Sequence, residues 1–324
     1  MFSRSVLAID AARVADQIAQ SIRDEVLGDL RRRGVVVGVS GGIDSSVVAA
    51  LCARAVGPDH VLALSMPERD SSDDALRLAR LLVDHLGTQH LVEPITDVLA
   101  AFGCYDRQVE AIRTVFPEFA IGDRFKVVLP SLLDGDRLNI PVLAIADTDG
   151  NEQRARLPLD AYLQMVAATN FKQRARKSVE YYHADRLHYA VAGTPNLLED
   201  DQGFFVKQGD GVADLKPIAH LFKTQVFALA EYLGVPDEIR ARPPTTDTYP
   251  FAQTQEEFFF AVPYAEMDLC MWAFDHGVAP AEAAAELGLT SDQVSRIFRD
   301  IEAKRRVSRY HHHVPVVPGD PTEA

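Results

Sequence analysis

Residues 40–46, Ser-Gly-Gly-Ile-Asp-Ser-Ser, are the part of this chain best suited to chemistry. Adjacent glycines, Gly41 and Gly42, allow backbone torsions closed to other residues and let the chain approach a ligand closely. Ser45 and Ser46 offer hydroxyls and helix caps. An apolar β-branched run, Val35 to Val39, enters this stretch and an apolar helical segment leaves it, so it reads as strand, phosphate-cradling loop and helix. Amides exposed at such a helix start, together with its dipole, favour an anion. Asp44 would repel a bound phosphate unless a divalent cation such as magnesium lay between them, so the loop points to a nucleotide with metal. It lacks the Gly-Lys-Ser/Thr ending of a Walker loop and the G-x-G-x-x-G spacing of a dinucleotide fingerprint.

Other residue types suited to anions and metals follow at a distance. Asn170 and Arg174 lie four apart on an expected helix and share a face, where a forked guanidinium suits phosphate or carboxylate; a solvated basic face is the plainer alternative. A loop rich in Gly, Asp and Pro runs from Gly193-Thr194-Pro195-Asn196 through Glu199, Lys207 and Asp210 to Asp214, a length that is usually functional or mobile. Glu199 could complete a metal site with Asp44 or serve as a helix-start acid. Lys223-Thr224-Gln225 and Arg242-Pro-Pro-Thr245-Thr246-Asp247 come next, with Asp247 suited to capping a turn. Phe258 to Phe260 read as core or subunit contact, and His311 to His313 as a solvated run rather than a metal site.

The elements that must hold these groups follow from periodicity. A helix is expected over about 11–33, strands at Val35–Val39, Val61–Ser65 and His90–Pro94, and helices over 45–55 and 72–86 between them. Such alternation predicts a doubly wound α/β fold with a parallel sheet, its ligands at the carboxyl ends of the strands. From 103 to 160 the pattern turns to short β runs around Asp134-Gly135 and Asp149-Gly150, hairpin signals that predict an inserted β-rich arm or lid. The α/β domain would then comprise 1–102 and 161–310, with helical period over 162–182, a strand at His188–Ala192, helices up to about Arg306 and an extended tail over 311–324.

With 324 residues the chain can bury an ample core. Its three scattered cysteines suit reduced thiols in the cytoplasm. The N-terminus has neither the basic start nor the apolar core of a secretory signal, and no run is long enough to span a membrane. A formal charge of −14 disfavours a broad nucleic-acid surface. The spacing over 281–300 nevertheless allows a helix-turn-helix, which leaves DNA binding as a minor alternative.

The S-G-G-x-D-S loop resembles that of the ATP pyrophosphatases, whose fold is Rossmann-like and of the adenine nucleotide α-hydrolase kind. With N-x-x-x-R-x-R from Asn170, G-T-x-N-x-x-E from Gly193, G-F-F-x-K-x-G-D-G-x-A-D from Gly203, K-T-Q-V from Lys223 and P-P-T-x-D near Thr245, the chain resembles the ammonia-dependent NAD synthetases. The resemblance implies a homodimer that joins nicotinic acid adenine dinucleotide, ATP and ammonia into NAD, AMP and pyrophosphate. It further implies ATP contacts at Gly38, Ser40, Gly41, Gly42, Asp44, Ser45, Ser46, Thr194, Lys223 and Thr245, and magnesium at Asp44 and Glu199. Asn170, Arg174, Lys207, Asp210 and Asp214 would contact the acid dinucleotide, and Lys304 would reach a partner subunit's substrate. No nitrilase-like glutaminase region is recognisable, so free ammonia or a separate glutaminase subunit is expected to supply nitrogen. The alternative is a related adenylating amide synthetase acting on another carboxylic acid.

Overall fold

The computed structural model describes residues 2–120, 122–129, 141–147, 150–245, 249–251 and 254–317. α1 (Ala11–Arg23) leads into β1 (Val35–Gly38), and α2 (Ile43–Val56), β2 (Val61–Ser65), α3 (Asp73–Leu86) and β3 (Gln89–Val92) follow in alternation. After α4 (Thr96–Ala101) and α5 (Cys104–Arg113) come β4 (Arg124–Val128), β5 (Val142–Ala146) and β6 (Glu152–Ala155), then the long α6 (Leu159–Leu187) and β7 (Ala190–Ala192). The remainder is helical: α7 (Leu197–Gln202), α8 (Lys223–Tyr232), α9 (Asp237–Ala241), α10 (Tyr264–Asp275), α11 (Pro280–Leu287) and α12 (Ser291–His312).

Val35, Val36 and Val37 are all fully buried, so β1 must be covered on both faces. Val35 and Val37 join the layer formed with α1, α2, α3 and α8, whereas Val36, Leu62, Leu64 and Val191 face α4, α5 and α6. The sheet is parallel, in the order β3-β2-β1-β7, with Val35 opposite Val61 on one side and Ala190 on the other. Strand order thus reverses between β1 and β7, which opens a crevice at their carboxyl ends. The expected doubly wound architecture is present.

The other expectations hold in part. The helix from Ala11 ends at Arg23 and continues as a wider π-type turn over Asp24–Asp29, before Arg31, at φ +51°, redirects the chain into the sheet. The segment 103–160 opens with a helix, α5, because its Ala111 and Ile112 pack against Phe125 and Val127 of the antiparallel β4-β5-β6 meander. Asp134-Gly135 and Asp149 lie outside the described residues; Gly150, at φ +88°, belongs to the turn before β6. α12 extends to His312 rather than stopping near Arg306, since its last turn docks on α7: Ser308 Oγ donates to Asp201 O at 2.9 Å, and His312 Nε2 lies 2.8 Å from Asp200 O. Of the expected tail, residues 313–317 are without regular structure, and 318–324 lie outside the described residues. α10, α11 and α12 form a separate apolar core with Phe2, Leu198 and Phe260.

A buried ionic network ties the loop after β2 to the helical face. Lys172 of α6, 1% exposed, donates to Glu68 Oε1 at 2.8 Å and Asp70 Oδ2 at 2.7 Å, and Tyr105 OH donates to Glu68 Oε2 at 2.9 Å. Removing one partner of such a pair strands buried charge, so Lys172→Met should lower stability by about 3–5 kcal/mol in urea denaturation. Arg77→Ala, which removes the exposed pairs with Asp74 and Glu238, should cost under about 1 kcal/mol. Equal losses would contradict the assignment.

Candidate active site

The loop after β1 is squeezed from both sides. A Cβ on Gly38 would lie 2.8 Å from Glu180 Oε1 of α6, and one on Gly41, where φ is +72°, would lie 2.6 Å from Ala75 O of α3. The N-cap of α2 is Gly42 rather than either serine. Ser45 and Ser46 lie inside the helix and donate back to Gly42 O at 3.1 and 2.7 Å, while Ser45 Oγ and Ser40 Oγ accept from Ser40 N and Gly42 N, each at 3.3 Å. Side-chain hydroxyls therefore rigidify the loop, and the first-turn amides of α2, which have no intrahelical acceptor, remain directed at the crevice with the positive end of the helix dipole.

Asp44 is held by two residues from distant elements. Asn196 Nδ2 donates to its Oδ1 at 3.1 Å, and the ammonium of Lys223, from a side chain with no exposure, pairs with its Oδ2. Asn196 also caps α7, its Oδ1 accepting from Glu199 N at 3.2 Å while Glu199 Oε2 accepts from Asn196 N at 3.2 Å. Glu199 is thereby both a helix-start acid and a neighbour of Asp44. Burial first, and then the charge of Asp44, push its carboxyl up to about 8. A buried and a partly buried carboxylate at such proximity suit a divalent cation, which would relieve the repulsion that raises Glu199. Among the described residues no three or more His, Cys, Asp or Glu side chains gather as a metal site, so phosphate oxygens and water would have to complete the coordination, the usual pattern for magnesium.

A cavity of about 810 Å³ opens from this corner. Gly38, Ser40, Gly42, Asp44, Ser45, Asn170, Arg174, Thr194, Glu199, Lys207, Asp210 and Thr245 all line it. Gly41, Ser46, Asp214, Lys223 and Lys304 do not line the cavity. Lys223 meets it only through Asp44. Asp214 accepts from Val191 N at 2.7 Å and Tyr181 OH at 3.2 Å, beside β7, and Lys304 donates to Phe259 O and pairs with Asp300, both at 2.7 Å. Arg174 Nε donates to Lys207 O at 3.3 Å, Asp210 Oδ1 accepts from Val206 N at 2.7 Å, and Lys207 Nζ donates to Tyr310 O at 2.9 Å. The end of α12 thus closes one side of the cavity, with Tyr310 and His311 in its wall.

Sequence reasoning quoted Asn196 in a motif without giving it a role; its spacing from Glu199, three residues on, is a capping-box signal. The buried Lys177–Glu180 pair and the aromatic wall of Phe204, Phe258 and Phe259 were missed as cavity residues. Phe260 is core, as expected of that run. Thr246 and Asp247 lie outside the described residues. In the α11–α12 segment Val294, Ile297 and Ile301 are fully buried in the C-terminal core, and Arg305 of the basic run pairs with Asp201 and Asp275.

The raised Glu199 has a pH consequence. Its protonated form contributes stability present below about 4.5 and lost as pH rises through about 8. Without divalent cations, the stability of the native chain relative to Glu199→Gln should therefore fall by a few kcal/mol between about pH 4.5 and about pH 8 in urea titrations, at roughly 1.4 kcal/mol per pKa unit, and level off above that. Parallel pH profiles would contradict the placement.

The NAD synthase family profile matches residues 14–118 and 139–312. The NH(3)-dependent NAD(+) synthetase of Mesorhizobium japonicum is 58% identical over 312 residues, spanning 96% of this chain and 98% of that protein. Among solved structures, the NMN synthetase of Francisella tularensis is similar at a TM-score of 0.67 and 22% identity, covering 97% of this chain and all of that one. The NH3-dependent NAD synthetase of Campylobacter jejuni reaches 0.62 at 20% identity, over 96% of this chain and all of that one, and these two likenesses concern the fold. With a glycine-serine loop, a carboxylate pair and a buried lysine meeting where strand order reverses, and with a match along nearly its whole length, this chain belongs to the NAD synthase family.

Proposed function

We propose that this protein amidates the carboxylate of nicotinic acid adenine dinucleotide with ammonia, consuming ATP and releasing NAD, AMP and pyrophosphate. The observation that carries the reading is the convergence of the Ser40–Ser46 loop, Asp44, Glu199 and Lys223 at one corner of a cavity that Arg174 and Lys207 also line. A carboxylate resists ammonia until one oxygen becomes part of a good leaving group. In the first step a carboxylate oxygen attacks the α-phosphorus of ATP and pyrophosphate departs. In the second, ammonia attacks the acyl carbon, AMP leaves with that oxygen, and loss of a proton yields the amide.

Each group of residues has a part in these steps. The α2 amides and the Ser40 and Ser45 hydroxyls receive phosphate oxygens, with Thr194 and Thr245 further along the nucleotide. Lys223 exchanges its bond to Asp44 for one to the departing pyrophosphate, where negative charge accumulates. Asp44 and Glu199 are the residues that would hold magnesium, which supplies further neutralisation of that charge when bound. Asn170, Arg174, Lys207 and Asp210 face the acid dinucleotide, the two cations its phosphates. The three cysteines are free and buried, as suits a reducing cytoplasm, and no described helix is long and apolar enough to cross a membrane.

A second copy of the chain is the proposed cover for the apolar side chains exposed at the C-terminal end of α4 and on α6, among them Phe102, which caps α4, at 45%, Leu159 at 69% and Leu163 at 53%. Leu163→Glu should convert a dimer to a monomer in sedimentation velocity, and a native monomer at micromolar concentration would refute the dimer. For the activity, purified protein with ATP, magnesium and ammonium should form NAD and AMP in equal amounts from nicotinic acid adenine dinucleotide. Asp44→Asn should reduce the rate more than about 100-fold. AMP release with nicotinic acid mononucleotide and not with the dinucleotide would replace the proposed substrate by a smaller acid.

A further inference from the structure

Lys223 is the first residue of α8, an unfavourable place for a buried cation, because the helix dipole is positive there and the side chain has no exposure. Its N-cap residue, Phe222, has no side-chain oxygen with which to accept from the first-turn amides. The acceptors come from another element. Asp268 of α10 receives Lys223 N on Oδ1 at 3.3 Å and Thr224 N on Oδ2 at 2.7 Å. We propose that Asp268 is a positioning residue for Lys223: its carboxylate, delivered from the C-terminal helices, caps α8 in place of an N-cap side chain and fixes the backbone from which Lys223 reaches Asp44 and the nucleotide phosphates.

Three observations separate this from a cap that serves stability alone. Asp268 has no exposure, and burial pushes its carboxyl up to about 6, so ionisation at neutral pH is opposed where a neutral Ser, Thr or Asn cap would meet no such penalty. What the carboxylate adds is negative charge beside a buried ammonium-bearing residue and a positive helix end. Next, its neighbours Met267, Leu269, Cys270 and Met271 are all buried in the C-terminal core, so the acceptor is anchored. Finally, α10 grips Lys223 twice, since Tyr264 at its start sets its ring 5.3 Å from the ammonium and its hydroxyl donates to Gln255 Oε1 at 2.7 Å. The C-terminal helices thereby aim a residue of the phosphate corner without lining that corner themselves.

The inference rests on Lys223 acting at the nucleotide, and a double-mutant cycle on magnesium-ATP affinity, read by calorimetry without the acid substrate, tests it independently of the product formed. Asp268→Ala should weaken ATP binding by about 10- to 100-fold, the scale expected when a contact residue is misplaced by about 1 Å. Lys223→Met should do at least as much, and the double variant should bind like Lys223→Met alone to within about twofold. Asp268→Asn, which keeps one acceptor oxygen, serves where the alanine variant does not fold. It should show a smaller loss with Lys223 present and none in the Lys223→Met background. Losses that multiply, or native affinity in the Asp268 variants despite a lowered melting temperature, would make Asp268 a stability cap only and overturn the proposal.

Discussion

Glu199, a buried carboxylate, and Asp44, a partly buried one, are set where β1 and β7 part, and they share that space only because positive and hydrogen-bonding partners join them. Much of the molecule is arranged around this requirement. α8 supplies the Lys223 ammonium, and α7 begins with an asparagine that donates to one carboxylate and caps the helix carrying the other. The parallel sheet brings the two strand ends side by side. A site of this kind holds charge separated at rest and can pass it to a ligand, because the same lysine that balances Asp44 has the chemistry to balance phosphate.

Positioning depends on parts of the chain that are far apart in sequence. The loop at Gly38 to Gly42 is wedged between α3 and α6, so its torsions follow from packing as well as from glycine freedom. The loop after β2 is fixed to α6 by Lys172, and the end of α12 holds α7 through Ser308 and His312 and the loop after it through Lys207. The walls of the cavity thus come from segments far apart in the chain.

The fold was largely legible because β1 and β2 are short apolar runs separated by a helix-length apolar segment and bracketed by the amphipathic α1 and α3, a pattern with few alternatives. Twelve of the seventeen site positions expected from sequence line the cavity, and the five that do not explain the limit of the reading. Gly41 and Ser46 act within the loop, Lys223 acts through Asp44, Asp214 accepts from the backbone of β7, and Lys304 is spent on Phe259 O and Asp300. Motif order places residues along the chain but does not state which side of a helix meets the cavity. The end of α12 was misread because its last turn is apolar only in part, and its helical state depends on docking against α7. Asp268 carried no local signal at all: a cap supplied by another helix leaves no spacing in the sequence.

Activation of the acid requires transfer of an adenylyl group to its own carboxylate. The most direct measurement is to supply nicotinic acid adenine dinucleotide labelled with oxygen-18 in that carboxylate and to follow the label by mass spectrometry and phosphorus NMR. One labelled oxygen in each AMP formed, with none in pyrophosphate, is expected if the carboxylate attacks the α-phosphorus. Unlabelled AMP beside labelled pyrophosphate or phosphate would contradict it.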